Sequence, residues 1–451
     1  MVINGKIIKI NRENAVISEM DESYCSLVKQ ILDEGIQTNN RTGIDTLSIP
    51  GWNYKFDLQK GFPIAESKQV VARNFTSEIQ WIHQVQSNEV KWLQDRDNPT
   101  WNGWVVDNDG IYRVYEQGDN AIDDPEREVP LMQQAFNPIK GEIVEVPVLD
   151  EFNNPIMVKS IDVMEKKTDA RTVKKALLFG TQYAGTIGEA YGYINNLYKM
   201  PQCVENRLKN NPTDRRMIIN LWQNAHLVNA VLPSCVWSSE YKVTPDGKLH
   251  AYVHQRSADV PLGLPFNISQ YAVLVSMFAK AANLEVGTMS WSIMDAHIYL
   301  NQLEGIKKQL QRYEYMKEYS NIIQTSSDEE IETLYYKTVS MFDKLHTKAK
   351  ILLKDNIETL KMSQRVKQLK AIDSTLADNY QEAFERKTCF EHMLTRETPE
   401  LELADHDSIF EYSTDYVKKN DPYLKENPIG NKEIVLKKYH PTPFISMPIA
   451  Q

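Results

Sequence analysis

Cysteine is scarce: the 451 residues hold four, Cys25, Cys203, Cys235 and Cys389, so widely spread that no CxxC pair exists. That spacing indicates neither a zinc site nor a disulfide framework, and a thiol in a reducing compartment stays free to react. Long hydrophobic runs are missing as well, and the opening MVINGKIIKINREN lacks the apolar stretch of a secretory signal. The expectation is a cytoplasmic protein with no membrane partner. Positive charge is in deficit, with 51 Lys and Arg against 61 Asp and Glu and a formal net charge of −10. This argues against a general nucleic-acid binder, yet a local basic pocket for a small phosphate remains compatible with it. No internal repeat or low-complexity tract breaks the chain.

What is present belongs to a folded globular protein. Hydrophobic residues make up 42% and charged residues 25%, and the length suffices for one large domain with additions. A short hairpin-like start (KIIKI before Asn11, AVISEM after) precedes ESYCSLVKQILDEG, which has helical periodicity and ends at Gly35. RTGIDTLSIPGWNYKFDL reads as a turn and strands, and FTSEIQWIHQVQ as a helix. From about Tyr115 to Leu178 the pattern turns β-rich, and GEIVEVPVLDEFNNPIMVKSID alternates and reverses at Asn153-Asn154, which predicts a hairpin. Between Arg312 and Glu397 it turns Lys/Glu-rich with very little Gly or Pro. There a capping box, Ser327 with Glu330, opens a helix whose buried face is expected to carry Ile331, Leu334, Phe342, Leu345, Ala349 and Leu352. The mixed charges of this segment read as a solvated face.

Three segments are dense in groups that recognise ligands. TDRRMIINLW carries adjacent Arg215 and Arg216, and guanidinium forks suit phosphate. HQRSADVPLGLPFNISQY sets Arg256, Ser257, Asp259 and Asn267 around Pro261, Gly263 and Pro265, the composition of a binding wall. MDAHIYLNQ places Asp295, His297 and Tyr299 in a D-x-H-x-Y alternation, which on a strand turns all three to one face. One histidine with one carboxylate is too few ligands, so no metal is expected. LPSCVW adds Cys235, which on its own reads either as a small core hydrophobe or as a nucleophile.

Taken together and in order, these segments resemble the thymidylate synthase family. RTGIDTLSIPG matches its Arg-Thr-Gly loop, SEIQWIHQVQSNEVKWL its Glu-x-x-Trp helix, WNGW its paired tryptophans and GTIGEAYG its Gly-x-x-Gly-x-x-Tyr-Gly turn. LPSC stands where the family has Leu-Pro-Pro-Cys; QRSADVPLGLPFNISQYA, DAHIYLNQ and YHPTPFISMPIAQ match the corresponding family segments. The resemblance implies a single α+β domain over residues 1–451, built on a large twisted mixed sheet with surrounding helices, plus a β-rich insertion at 115–178 and a helical insertion at 312–396. It implies transfer of a one-carbon unit from 5,10-methylenetetrahydrofolate to C5 of dUMP. Cys235 would be the nucleophile that adds to C6, its thiolate favoured by nearby arginine charge.

By the same resemblance the phosphate is held by Arg41 and Arg256 from one chain and Arg215 and Arg216 from the partner of a homodimer, with Ser257 adding a hydroxyl. Asn267 would choose uracil, Gln255 and Asp259 would bind the substrate, and His297 and Tyr299 would bind the ribose hydroxyl. Trp101, Trp104, Asp259, Gly263, Phe266 and the lid end Gln451 match the folate wall. Glu78 matches the glutamate that organises proton transfers, and Tyr191 the tyrosine near the C5 proton. Val236, Asn102, Ser234, Gln451 and the AESKQV stretch around Lys68 depart from the pattern, around the folate and the water network. Two alternatives to reductive methylation follow: a dUMP 5-hydroxymethylase, in which water replaces the hydride, and a catalytically weak nucleotide-binding scaffold.

Overall fold

The structure, a computed structural model, describes residues 1–3, 5–40, 42–116, 126–159 and 172–449. In chain order its elements are β1 (Val2–Ile3), β2 (Lys6–Ile7), α1 (Glu19–Glu34), β3 (Ile36–Thr38), β4 (Thr46–Asp57), α2 (Ala72–Ile79) and α3 (Val90–Gln94). A β-rich stretch follows: β5 (Ile111–Tyr115), β6 (Glu128–Asn137), β7 (Glu142–Pro147), β8 (Met157–Lys159) and β9 (Val173–Leu178). The centre of the chain forms α4 (Gly192–Tyr198), α5 (Met200–Asn210), β10 (Ile218–Asn220), β11 (Val236–Val243), β12 (Lys248–Asp259), α6 (Gly263–Ala281) and β13 (Glu285–Tyr299). The rest is α7 (Leu303–Thr325), α8 (Asp328–Leu353), α9 (Met362–Lys370), α10 (Ser374–Thr395), β14 (Glu400–Leu403) and β15 (Ile434–Lys437).

The main sheet runs β10-β11-β12-β13-β4-β3, and only the β12–β13 pair is parallel, so it is mixed. That pair needs a crossover, which α6 supplies. α6 is apolar nearly all round, with Leu264, Ile268, Tyr271, Val275 and Phe278 buried, as a helix covered on every side must be. Along β13 the residues Met289, Trp291 and Ile293 alternate into the core, while Met294 faces out. α1 is started by Ser18, whose hydroxyl accepts from the Asp21 N–H at 3.0 Å, and by acidic residues in its first turn. It ends at Gly35, where an added Cβ would lie 2.2 Å from the Ile31 carbonyl oxygen.

The second sheet, β5-β9-β6-β7 with β8 also on β6, confines the expected hairpin at Asn153-Asn154 to residues 148–156. β7 and β8 do not pair with each other; both run antiparallel to β6 in the same direction, and residues 148–156 loop out between them. Only the arms of this loop pair across Asn153, through the Leu149–Pro155 bridge and the Ile156 N–H to Val148 carbonyl bond of 2.9 Å. The Leu131 N–H and carbonyl of β6 bind the Ile156 carbonyl and the Val148 N–H at 2.7 and 2.8 Å, so β6 takes the groups with which β7 and β8 would continue the hairpin. The opening hairpin also differs from the expectation: it joins Val2–Ile3 to Lys6–Ile7 ahead of Asn11, and AVISEM leads into α1 instead of supplying an arm.

The helical region has the expected capping box at Ser327 and Glu330. Its buried face carries Ile331 and Ala349 as expected, but Leu353 is buried where Leu352 was expected, and Leu352 is 38% exposed. Tyr319 stacks on Phe390 at 4.2 Å, and this core also takes Ile3 and Ala15 from the start of the chain.

Candidate active site

The carboxyl ends of β12 and β13, the first turns of α6, the end of α2 and the loops carrying Trp101 and Cys235 converge on a cavity of about 830 Å³. It is lined by Glu78, Trp101, Trp104, Tyr191 and Cys235, and by Gln255, Arg256, Ser257 and Asp259 from β12. Gly263, Phe266 and Asn267 from α6 and His297 and Tyr299 from β13 complete the set drawn from separate stretches of sequence. Arg215 and Arg216 are not among the lining residues. Both are exposed, and Arg216 pairs with Asp214 at 2.9 Å. Arg41 and Gln451 lie outside the described residues.

Cys235 sits just before β11 and is half-buried. Its N–H donates to the Tyr191 hydroxyl at 2.9 Å. The Arg256 guanidinium donates to the Pro233 carbonyl at 2.7 Å and the Ser234 carbonyl at 3.1 Å, and a further N–H points at Cys235 Sγ from 3.6 Å. One cation thus shapes the turn and faces the thiol. The Trp222 ring centroid lies 5.6 Å from the same guanidinium carbon. Tyr191 has φ 50°, uncommon for a residue with a side chain, at the entry to α4. Burial, followed by the neighbouring Cys235, pushes its phenol pKa well up, so the hydroxyl keeps its own proton.

Glu78 is buried and accepts from Trp101 Nε1 at 2.8 Å. Burial pushes its carboxyl up to about 7, with donors from Trp101 and Gln270 partly offsetting it. Directly after it the helix widens into a π-helical turn, Gln80–Val85, a distortion often found beside functional groups.

A chain of amides runs through the base of the cavity. Trp291 Nε1 donates to Gln255 Oε1, Gln255 Nε2 to Asn267 Oδ1, and Asn267 Nδ2 to Gln270 Oε1, each at 3.1 Å. An indole nitrogen can only donate, so it fixes which end of every following amide is oxygen. The last amide nitrogen, Gln270 Nε2, is buried and makes no hydrogen bond of ordinary geometry.

On β13 the alternation places Asp295, His297 and Tyr299 on the cavity wall together. Asp295 Oδ1 accepts from Ser48 at 2.6 Å and Oδ2 from Ser257 at 3.0 Å, and His297 Nδ1 lies 3.2 Å from the same Oδ2. Burial opposes its ionisation, yet hydrogen bonds from His297 and Ser48 hold the carboxyl down at about 2. Asp259 is pushed up by burial and accepts from both Gln302 Nε2, at 3.0 Å, and the Leu262 N–H, at 3.0 Å.

Sequence reasoning passed over Gln270, Gln302 and Trp291. Gln270 lies three residues after Asn267 on one helix face, which is the signal that could have found it. Val236 is buried and lines the cavity, whereas Asn102 turns away from it and accepts from Gln94 at 3.0 Å. The Asn102 departure therefore lies outside the cavity wall. Among the described residues no group of three or more His, Cys, Asp or Glu is arranged to hold a metal ion, and no helix is long and apolar enough to cross a membrane.

A sequence model described as thymidylate synthase matches residues 22–351, a span that runs through the β-rich stretch and into α8. The chain belongs to the thymidylate synthase family. It is similar to a protein named thymidylate synthase from Clostridium beijerinckii, 32% identical over 296 residues, covering 66% of this chain and 83% of that relative. Relatives of the same name from Listeria monocytogenes serotype 4b and Listeria innocua are each 31% identical over 300 residues, covering 64% of this chain and 86% of theirs.

Proposed function

We propose that the protein transfers a one-carbon unit from 5,10-methylenetetrahydrofolate to C5 of dUMP and releases dTMP and dihydrofolate. The observation that carries this reading is the Cys235 thiol facing the Arg256 guanidinium at 3.6 Å inside a cavity that also holds Asn267, Glu78 and Tyr191. Family membership supports the same reaction.

In this reading Cys235 Sγ adds to C6 of the pyrimidine, which turns C5 into a nucleophile. Arg256 stands beside the sulfur and, with Ser257, on the phosphate side of the ring; Arg41 and the partner subunit's equivalents of Arg215 and Arg216 would complete the phosphate grip. Asn267, its amide orientation fixed by the Trp291–Gln255 chain, offers one N–H to O4 and one lone pair to the N3 proton. His297 and Tyr299 take the ribose hydroxyl. Glu78 gains and loses protons near neutrality because burial lifts it to about 7. Tyr191, protonated, stands where the C5 proton leaves.

The residues present fit a reduced folate as the second ligand. Trp101, Trp104 and Phe266 supply aromatic wall, Gly263 allows close approach, and Asp259, anchored by Gln302, offers a carboxylate to a ring N–H. The folate supplies the carbon and, for a methyl product, the hydride; Gln451 belongs to the segment that would cover it. The cavity volume lies within the roughly 300–1,000 Å³ of ligand sites.

The largest core draws on residues from Met20 to Met447, which supports one domain carrying the two additional regions. A homodimer is supported by the outer face of the main sheet, where Tyr252 and Met294 are exposed, Met294 by 66%, beside the half-buried Trp237 and His254. The chemistry and the acidic charge suit a cytoplasmic enzyme that needs neither nucleic acid nor metal.

The test is mass analysis of the nucleotide after incubation with dUMP and methylenetetrahydrofolate, with dihydrofolate followed by absorbance. Methylated nucleotide with dihydrofolate supports the proposal. A hydroxymethylated product without dihydrofolate overturns it in favour of the hydroxymethylase and directs attention to Val236. Unchanged cellular function in Cys235→Ala would instead favour a scaffold.

A further inference from the structure

The segment Tyr439–Ile449 contains Pro441, Pro443 and Pro448. Proline has no N–H, so such a stretch cannot join a sheet ladder and offers its surroundings mainly carbonyl oxygens. Its position therefore depends on donors brought to it from elsewhere. Those donors come largely from the helical region. His392 Nδ1 of α10 meets the His440 carbonyl at 2.9 Å. Arg312 of α7 donates to the Pro443 carbonyl and, at 3.4 Å, to the Thr442 hydroxyl. Gln302, at the start of α7, donates to the Pro448 carbonyl at 3.0 Å.

Arg312 is 1% exposed and cannot hold this position as a lone charge. Glu385 of α10, also 1% exposed, takes its Nε at 2.5 Å and its terminal nitrogen at 3.3 Å, and Lys308 adds a bond of 2.8 Å to the same carboxylate. Hydrogen bonds from these cations hold the Glu385 carboxyl below its ordinary range against burial. Glu385 and His392 are seven residues apart on one face of α10, and Gly305 and Arg312 seven apart on one face of α7. Gly305 matters here: an added Cβ would lie 2.5 Å from Met447 Sδ. The segment thus lies against two helix faces, tied on its other side by Thr442, whose N–H and hydroxyl both donate to the Glu66 carbonyl at 2.9 Å. It then reaches the cavity, where Ile449 is part of the wall.

We infer that Arg312, held by Glu385, is a positioning residue: the helical region α7–α10 seats the segment Tyr439–Ile449 so that Ile449 completes the cavity. This gives the helical region a task in the reaction. The kinetic part of the inference rests on the function proposed above; the seating itself does not.

Two variants test it. The double change Arg312→Met with Glu385→Leu replaces a buried ion pair by apolar groups of similar volume, a swap that is often neutral for stability. Thr442→Val removes the hydroxyl that donates to the Glu66 carbonyl and accepts from Arg312, and leaves the Arg312–Glu385 pair intact. In both, chymotryptic cleavage after Phe444, which is 57% exposed, should quicken at least about tenfold as the segment leaves its seat. The folate KM should rise and kcat fall, each about tenfold or more, while the dUMP Kd stays within about twofold. Arg312→Lys in place of the double change should recover part of the loss. Unchanged cleavage in both variants overturns the seating whatever the enzyme does. Faster cleavage with unchanged folate KM and kcat overturns the role in the reaction. Wild-type protein that makes no product from dUMP defeats the functional reading alone, and the cleavage comparison then stands on its own.

Discussion

Replacing Glu78 by glutamine should stabilise the protein at high pH while removing its activity. The carboxyl moves from an ordinary 4.5 in the unfolded chain to about 7 when folded, mainly through burial. The sign follows from which state binds the proton. Below pH 4.5 both states are protonated and nothing is lost. Between pH 4.5 and about 7 the unfolded chain ionises while the folded one stays neutral, so stability falls as pH rises, and above about 7 the loss is complete. At about 1.4 kcal/mol per pH unit the full effect is about 3 kcal/mol. Glutamine keeps the acceptor for Trp101 Nε1 and has no charge to bury. For a chain of 451 residues the unfolding entropy is about 1 kcal/mol per kelvin, which turns 3 kcal/mol into a Tm rise of about 3 °C. Calorimetry of both proteins at pH 5 and pH 8 checks it, because all other titrating groups cancel in the difference. An advantage of the same size at both pH values, or a glutamine variant less stable at pH 8, would refute the burial argument.

Trp101→Phe removes the donor that stabilises the Glu78 anion, so the carboxyl should rise further, by about one pH unit for a charged hydrogen bond. The Glu78-dependent limb of kcat/KM against pH should move up with it. Gln270→Leu takes away the acceptor of Asn267 Nδ2 and should weaken dUMP binding at least about tenfold and blunt its preference over dCMP, measured by calorimetric titration. Cys235→Ser should abolish product formation while leaving non-covalent dUMP binding within about tenfold. Met294→Lys and Tyr252→Lys, on the uncovered sheet face, should convert a dimer into monomers by light scattering, with activity falling in parallel.

Features legible in the sequence were those that local periodicity specifies. The α1 helix and its stop at Gly35, the capping box at Ser327 and the shared wall of Asp295, His297 and Tyr299 depend on spacings of two to four residues. The pairing of β7 and β8 with β6 was not legible, because alternation marks a strand but not its partner, and β6 lies outside the stretch whose alternation predicts the hairpin. Charges posed the opposite difficulty. The mixed Lys/Glu composition after Arg312 reads as a solvated face, yet Arg312 and Glu385, 73 residues apart, bury each other. The Trp291–Gln255–Asn267–Gln270 chain was equally hidden, since the fold, not the sequence interval, sets the indole against Gln255.

The walls of the cavity come from positions as far apart as Thr38 and Ile449. A ribosome makes such a chain in one direction, at roughly 5–20 residues per second, and domains begin to fold before synthesis is finished. The sheet, α6 and the thiol turn are all available well before residue 439 emerges, and so are both halves of the Arg312–Glu385 pair. A nascent or truncated chain can therefore own every polar group that lines the cavity and still lack the wall at Ile449.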